Sequence, residues 1–196
     1  KNFICGEGGA LVLNTPDDVE AAHVLLDKGT NRKAFFDGAV DKYTWQGLGS
    51  SFGLSDILAA FLTAQLEEAD VIRARRRELH TQYRSRLTPM ADRLGLQLPY
   101  EPATATPADH MFYVLLASAA ARSEVIESMR RDGVNPTFHY VPLHSSPAGV
   151  RFSDGASECP VTDDISARLL RLPFYNDMTG ADVERVVSSL AAAIAS

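Results

Sequence analysis

His110-Met111-Phe112-Tyr113-Val114-Leu115-Leu116-Ala117 is an apolar run that reads as a buried strand. Ser123 to Arg131 follows as a helix ended by Gly133, and Val134 to Tyr140 reads as a second strand. After a loop from Val141 to Pro160, Thr162 caps a helix to about Leu170, and Arg171-Leu172-Pro173 is a short extended piece. Thr179 caps a last helix, whose apolar stripe is Val183, Val186, Val187, Leu190 and Ile194. The order β-α-β-α-(β)-α predicts a small α/β domain with helices packed on one or both faces of a sheet.

Upstream of this stretch, residues 99–108 form a Pro/Thr/Ala connection. Before it, one long helical pattern begins near Ser55, with Leu54, Ile57, Leu58, Phe61, Leu62 and Leu66 at helical spacing. It continues through Ile72, Leu79, Tyr83 and Leu87 to about Pro89, as a helix joining two domains does, and its Arg73, Arg75, Arg76 and Arg77 read as a solvated face. Residues 30–53 show no period and read as a long loop, in which Tyr43 and Trp45 are either anchors or a stacking surface. Thr15-Pro16-Asp17-Asp18 starts a helix with Thr15 as its N-cap, and Gly29 stops it. Ala10 to Asn14 reads as a short buried strand after the turn Gly6-Glu7-Gly8-Gly9.

Nineteen basic and twenty-five acidic residues give a net charge of −6. A free-standing binder of nucleic acid or of an anionic membrane is usually basic, so the charge points away from both. Cys5 and Cys159 are too far apart in sequence for a disulfide framework or a metal clip, which makes a reducing, cytoplasmic setting the default. No run approaches the roughly 18–20 apolar residues of a bilayer span, and no signal peptide opens the sequence. The start Lys1-Asn2-Phe3-Ile4-Cys5, without an initiator Met, reads as a cut through a longer protein.

The densest polar-aromatic cluster is His139-Tyr140-Val141-Pro142-Leu143-His144. Two imidazoles and a phenol on a Pro-stiffened loop suit recognition of phosphate, sugar hydroxyls or a carbonyl; the plainer reading is a loop whose His and Tyr cap its own backbone. Its ligand spacing does not fit zinc, and no metal is expected. Ser50-Ser51, ahead of the long helix, could offer hydroxyls to a phosphate or serve as an ordinary cap and turn. Gly6-Glu7-Gly8-Gly9 lacks the Lys-Ser/Thr of a P-loop and reads as a tight turn. None of these features identifies a reaction alone.

Taken in order, the blocks are more specific. Lys1-Asn2 followed by Gly6-Glu7-Gly8-Gly9, Lys28-Gly29-Thr30-Asn31-Arg32, Val40-Asp41-Lys42-Tyr43-Thr44-Trp45, Gly49-Ser50-Ser51-Phe52, Phe138 to His144, and Leu169 to Tyr175 span nearly the whole chain. This succession resembles the nucleotide-sugar aminotransferases of the DegT/StrS family, in the branch acting on TDP-4-keto-6-deoxyhexoses at C4. The resemblance covers the C-terminal half of such an enzyme. It implies an α/β fold, the C-terminal part of a fold-type-I aminotransferase dependent on pyridoxal 5′-phosphate (PLP). Residues 1–70 would end the large PLP-binding domain and include an interface loop, 71–98 would be the linking helix, and 99–196 the small C-terminal α/β domain.

The same resemblance implies roles for single residues. Lys1 falls where the family has its catalytic lysine, which bonds the cofactor aldehyde and moves the proton during transfer. Ser51 stands where many relatives use Asn to reach the PLP phosphate of a neighbouring subunit, so a hydroxyl would do that job, with Ser50 beside it. His139, Tyr140 and His144 match a loop lining the sugar-diphosphate end of the site, and Arg32 and Tyr43 lie in a loop near the dimer interface where they could touch the nucleotide. The implied reaction moves an amino group from a donor, usually L-glutamate, to the 4-keto sugar within a homodimer that shares its active sites. Two alternatives stand beside it: a PLP sugar dehydratase, against which Lys1 argues because those relatives carry histidine there, and a non-catalytic fragment that binds a nucleotide sugar or a partner chain.

Overall fold

A computed structural model of the protein describes residues 2–154 and 158–195. It divides into two compact units, Phe3–Ala69 and the chain from Asp70 onward, which Asn2 joins. Among the described residues no helix is long and apolar enough to cross a membrane.

In the first unit the apolar residues 10–14 make no strand. Leu11 and Val12 are 76 % and 81 % exposed, because no strand lies alongside to accept their backbone among the described residues. Helix α1 (Asp18–Leu26) begins after Asp17, and Thr15 serves it through its backbone carbonyl rather than a side-chain cap. The loop that follows is more ordered than its composition suggests. It holds a short helix, α2 (Arg32–Phe36), and two isolated bridges, Thr30 to Trp45 and Asp27 to Ser51. Gly29 and Gly49 approach so closely that a side chain on either would collide with the other's turn, and Gly29 has φ +73°. Helix α3 (Asp56–Glu67) is capped by Ser55, whose hydroxyl accepts from the Leu58 N–H.

The long helical pattern proves to be two helices. Glu68 leaves the helical region (φ −94°, ψ 16°), and α4 (Ala69–Leu87) starts after it. In the second unit α4 buries Arg76, Leu79, His80, Tyr83 and Leu87. The arginine run is a solvated face only in part: Arg73 is exposed, whereas Arg76 donates to the carbonyls of Asp109 and His110 and to Asn176 Oδ1, and Arg75 to the carbonyls of Asn176 and Met178. Guanidinium groups supply the donors that these turns lack.

A 3₁₀ turn (Thr88–Met90) and α5 (Ala91–Leu94) lead to β1 (Phe112–Leu115), α6 (Ala119–Arg131) and β2 (Thr137–Phe138). Then come α7 (Pro147–Phe152), α8 (Pro160–Arg168), β3 (Leu169–Leu172) and α9 (Gly180–Ala195). The short extended piece of the sequence reading is the central strand: the order is β1-β3-β2, with β3 antiparallel to both neighbours. Helix α8 ends two residues sooner than its pattern suggested and takes Cys159, not Thr162, as N-cap, with Pro160 in the first turn. The core joins Leu79, Tyr83 and Leu87 of α4 to Phe112 and Val114 of β1, Leu170 and Leu172 of β3, and Val183, Val186, Val187 and Leu190 of α9. Tyr83 and Phe112 stack with centroids 5.0 Å apart, and the Tyr83 hydroxyl donates to the Pro173 carbonyl at 2.6 Å. Burial pushes that phenol's pKa well up, so it stays a neutral donor. Asn2 Nδ2 donates to the Ala108 carbonyl.

Candidate functional site

The sequence candidates fall into both units. In the first, the turn made possible by Gly29 and Gly49 carries Ser50 and Ser51 to the end of α1. The Ser50 N–H donates to the Leu25 carbonyl, and the Lys28 N–H donates to the Ser50 carbonyl. The backbone is committed, while both side chains are exposed and neither hydroxyl bonds another described residue. Ser51 also borders an apolar groove of about 1010 Å³ that includes Gly8, Gly9, Leu25 and Leu58. Arg32 and Tyr43 are brought together: the guanidinium lies 5.9 Å from the Tyr43 ring centre and 5.1 Å from that of Phe36, and 3.8 Å from Asp27. Tyr43 packs edge-on against Phe35 and stays half exposed, whereas Trp45 turns its indole N–H to the Gly47 carbonyl.

In the second unit the cluster after β2 forms a wall. The rings of His139 and Tyr140 are tilted at 58° with centroids 5.3 Å apart. Both border a mainly apolar cavity of about 450 Å³ closed on the other side by Val161, Ile165 and Leu169. His144 is held to α8 by Asp163, with Nε2 3.1 Å and 3.2 Å from the two carboxylate oxygens. Its side chain is 17 % exposed and that of Asp163 52 %, so the pair faces solvent on the carboxylate side. Asp163 was not singled out by the sequence, because its partner lies nineteen residues earlier and no short motif links them.

A buried polar network lies at the base of α4. His80 is 6 % exposed, with Nδ1 3.3 Å from Glu101 and 3.9 Å from Asp109; Arg77 pairs with Asp109 at 2.9 Å and Arg84 with Glu101 at 2.9 Å. Burial lowers the His80 pKa below its usual value despite the two carboxylates. His80 thus reads as a structural group.

The model of the DegT/DnrJ/EryC1/StrS aminotransferase family matches residues 1–191. The chain belongs to that family. Its fold is similar to that of the aminotransferase TlmJ from Streptoalloteichus hindustanus, at 26 % identity and TM-score 0.83, over 100 % of this chain and 50 % of that one. It is also similar to the sugar aminotransferase CalS13 from Micromonospora echinospora (20 % identity, TM-score 0.80, 98 % and 49 % covered). A third likeness is to PseC from Helicobacter pylori, an aminotransferase of pseudoaminic acid biosynthesis (16 %, 0.73, 93 % and 47 %). The DegT-family chain spans about half the length of these structures, and its fold is the matching part of a fold-type-I aminotransferase.

Aminotransferases of the DegT family use PLP. Ser50 and Ser51 could meet the phosphate end of that group: they offer two adjacent exposed hydroxyls, bonded to no other described residue, on a backbone fixed by the Gly29–Gly49 turn. Lys1, the expected aldehyde-bonding residue, lies outside the described residues.

Proposed function

We propose that this chain is the C-terminal half of a PLP-dependent sugar aminotransferase acting at C4 of a TDP-4-keto-6-deoxyhexose, with L-glutamate as the usual amino donor. The family match over residues 1–191 carries the reading. The finer assignment of substrate rests on the ordered blocks of sequence around Arg32, Tyr43, Ser51, His139 and Leu172. Lys1 would hold the cofactor through its ε-nitrogen, and Ser51, with Ser50, would donate hydroxyl hydrogen bonds to its phosphate, across the interface of a homodimer. When bound, PLP supplies the electron sink that makes the donor's α-proton labile. The chain's own part is positional. Lys1 would move the proton between the donor's α-carbon and C4′ of the cofactor.

His139, Tyr140 and His144 would meet the sugar diphosphate. The apolar wall behind Tyr140 suits a deoxysugar face, and the hydroxyl and imidazoles suit the oxygens beside it. Asp163 fixes the ring of His144, so that its Nδ1 is the nitrogen left for a ligand. Arg32 over Tyr43 would meet the nucleotide.

The test is spectroscopic. The full-length protein carries a cofactor band that bleaches on adding glutamate and returns on adding the 4-keto sugar nucleotide. Lys1→Ala keeps the fold, seen by circular dichroism, and abolishes turnover. A Lys1→Ala protein with near-normal activity would reject the assignment.

A further inference from the structure

Arg171 is the third residue of β3, the central strand. Opposite residues on neighbouring strands share a face, so its register with Tyr113 of β1 and Thr137 of β2 puts all three on one side of the sheet. Phe112, Val114, Leu170 and Leu172 alternate with them and face the core. Arg171 is partly buried, yet its guanidinium has no hydrogen-bond or ion-pair partner among the described residues. Every other arginine of this unit that is at least partly buried has an acceptor among the described residues: Arg75 has the Asn176 carbonyl, Arg76 has Asn176 Oδ1, Arg77 has Asp109, Arg84 has Glu101, Arg86 has Glu184, Arg122 has the Ser166 carbonyl, and Arg168 has Asp164. Taking five N–H donors partly out of water without an acceptor is unfavourable unless something else fills the role.

The group borders a cavity of about 320 Å³ that also presents His110, Asn135, Thr137, Tyr140 and Phe174, and no Asp or Glu lines it. Positive charge is therefore left uncompensated in a pocket with hydroxyl, amide and imidazole groups around it. Tyr140 borders this cavity and also the one beside His139.

We propose that Arg171 anchors an oxyanion site on the open face of the sheet, which takes a phosphate or carboxylate group of a small ligand. The planar fork binds two oxygens of such a group at once, and Thr137 and Tyr140 can donate to the remaining oxygens. The choice of ligand rests on the functional reading above: the oxyanion belongs either to the sugar diphosphate or to the amino donor. The cavity is too small to hold a whole nucleotide sugar, so the site grips one end of its ligand.

Titration calorimetry on the full-length holoenzyme tests this with inorganic pyrophosphate in one arm and L-glutamate in the other. Arg171→Gln is expected to weaken one of the two by roughly 10- to 100-fold, the loss of one charge-assisted contact. Arg171→Lys falls between, because it keeps the charge and loses the fork. Loss confined to pyrophosphate assigns the site to the diphosphate; loss confined to glutamate assigns it to the donor. The melting temperature without ligand stays unchanged in both variants, since the guanidinium bonds no other described residue. Unaltered affinity in both arms overturns the proposal, as does an unliganded Arg171→Gln protein that melts well below the parent, which would make the residue structural. Pyrophosphate or glutamate binding that depends on Arg171 in a protein unable to aminate the sugar would sink the functional reading and leave this site standing.

Discussion

His144 and Tyr140 separate two kinds of loss. If they contact the sugar nucleotide, His144→Gln and Tyr140→Phe raise its KM by roughly tenfold or more, while the glutamate half-reaction measured by stopped-flow absorbance is unchanged. Equal loss in both half-reactions would remove them from the sugar side. Asp163→Asn is expected to mimic a milder His144 change, and combining the two substitutions adds little, because Asp163 acts through the imidazole. His80 gives a prediction in pH. The fold holds its pKa below 6.5 by burying it, with Asp109, Glu101, Arg84 and Arg77 facing the ring. Below that value the unfolded chain takes up more protons than the folded one, so stability is full above pH 6.5 and falls as the pH drops through it. Thermal melts between roughly pH 7.5 and 5.5 should show the decline, and His80→Gln should flatten it. At this scale the sequence offers candidates rather than a site: the dense cluster at 139–144 and the serine pair stand out by composition. Asp163 and Arg171 do not, because their surroundings are set by residues far away in sequence or across a strand.

Among the elements, α9 is the one whose start the sequence specifies most fully. Thr179 accepts from the Asp182 N–H at 3.2 Å, and the Asp182 carboxylate takes the Thr179 N–H and hydroxyl at 2.7 Å each, which holds that carboxyl below the usual range. Thr179→Ala should cost about 1 kcal/mol in urea unfolding. Tyr83→Phe should cost roughly 1–2 kcal/mol, because it strands the partly buried Pro173 carbonyl. The strands were harder to read. The run at 110–117 and the helix after it announce β1 and α6, but β3 is only four residues long and follows directly on α8. Its rank as the central strand comes from pairing on both sides, which no local pattern encodes. The break at Glu68 is equally silent, since neither Gly nor Pro marks it. The apolar segment at 10–14 shows the reverse: its pattern is that of a strand, and a strand needs a neighbour to exist.

For the molecule as a whole, the ordered blocks carried more than any motif, since together they run almost the length of the family match. Sites shared between subunits require a full-length protein that is a dimer at assay concentration, and light scattering after size exclusion should find one. A strictly monomeric, fully active protein would remove Ser51 from a partner's cofactor phosphate. The most direct measurement is of the product. Full-length protein incubated with TDP-4-keto-6-deoxyglucose and L-glutamate should yield a TDP-4-amino-4,6-dideoxyhexose and 2-oxoglutarate, with nitrogen on C4 in the NMR spectrum. A ketone that persists at C4, beside glutamate that is never consumed, would contradict the account.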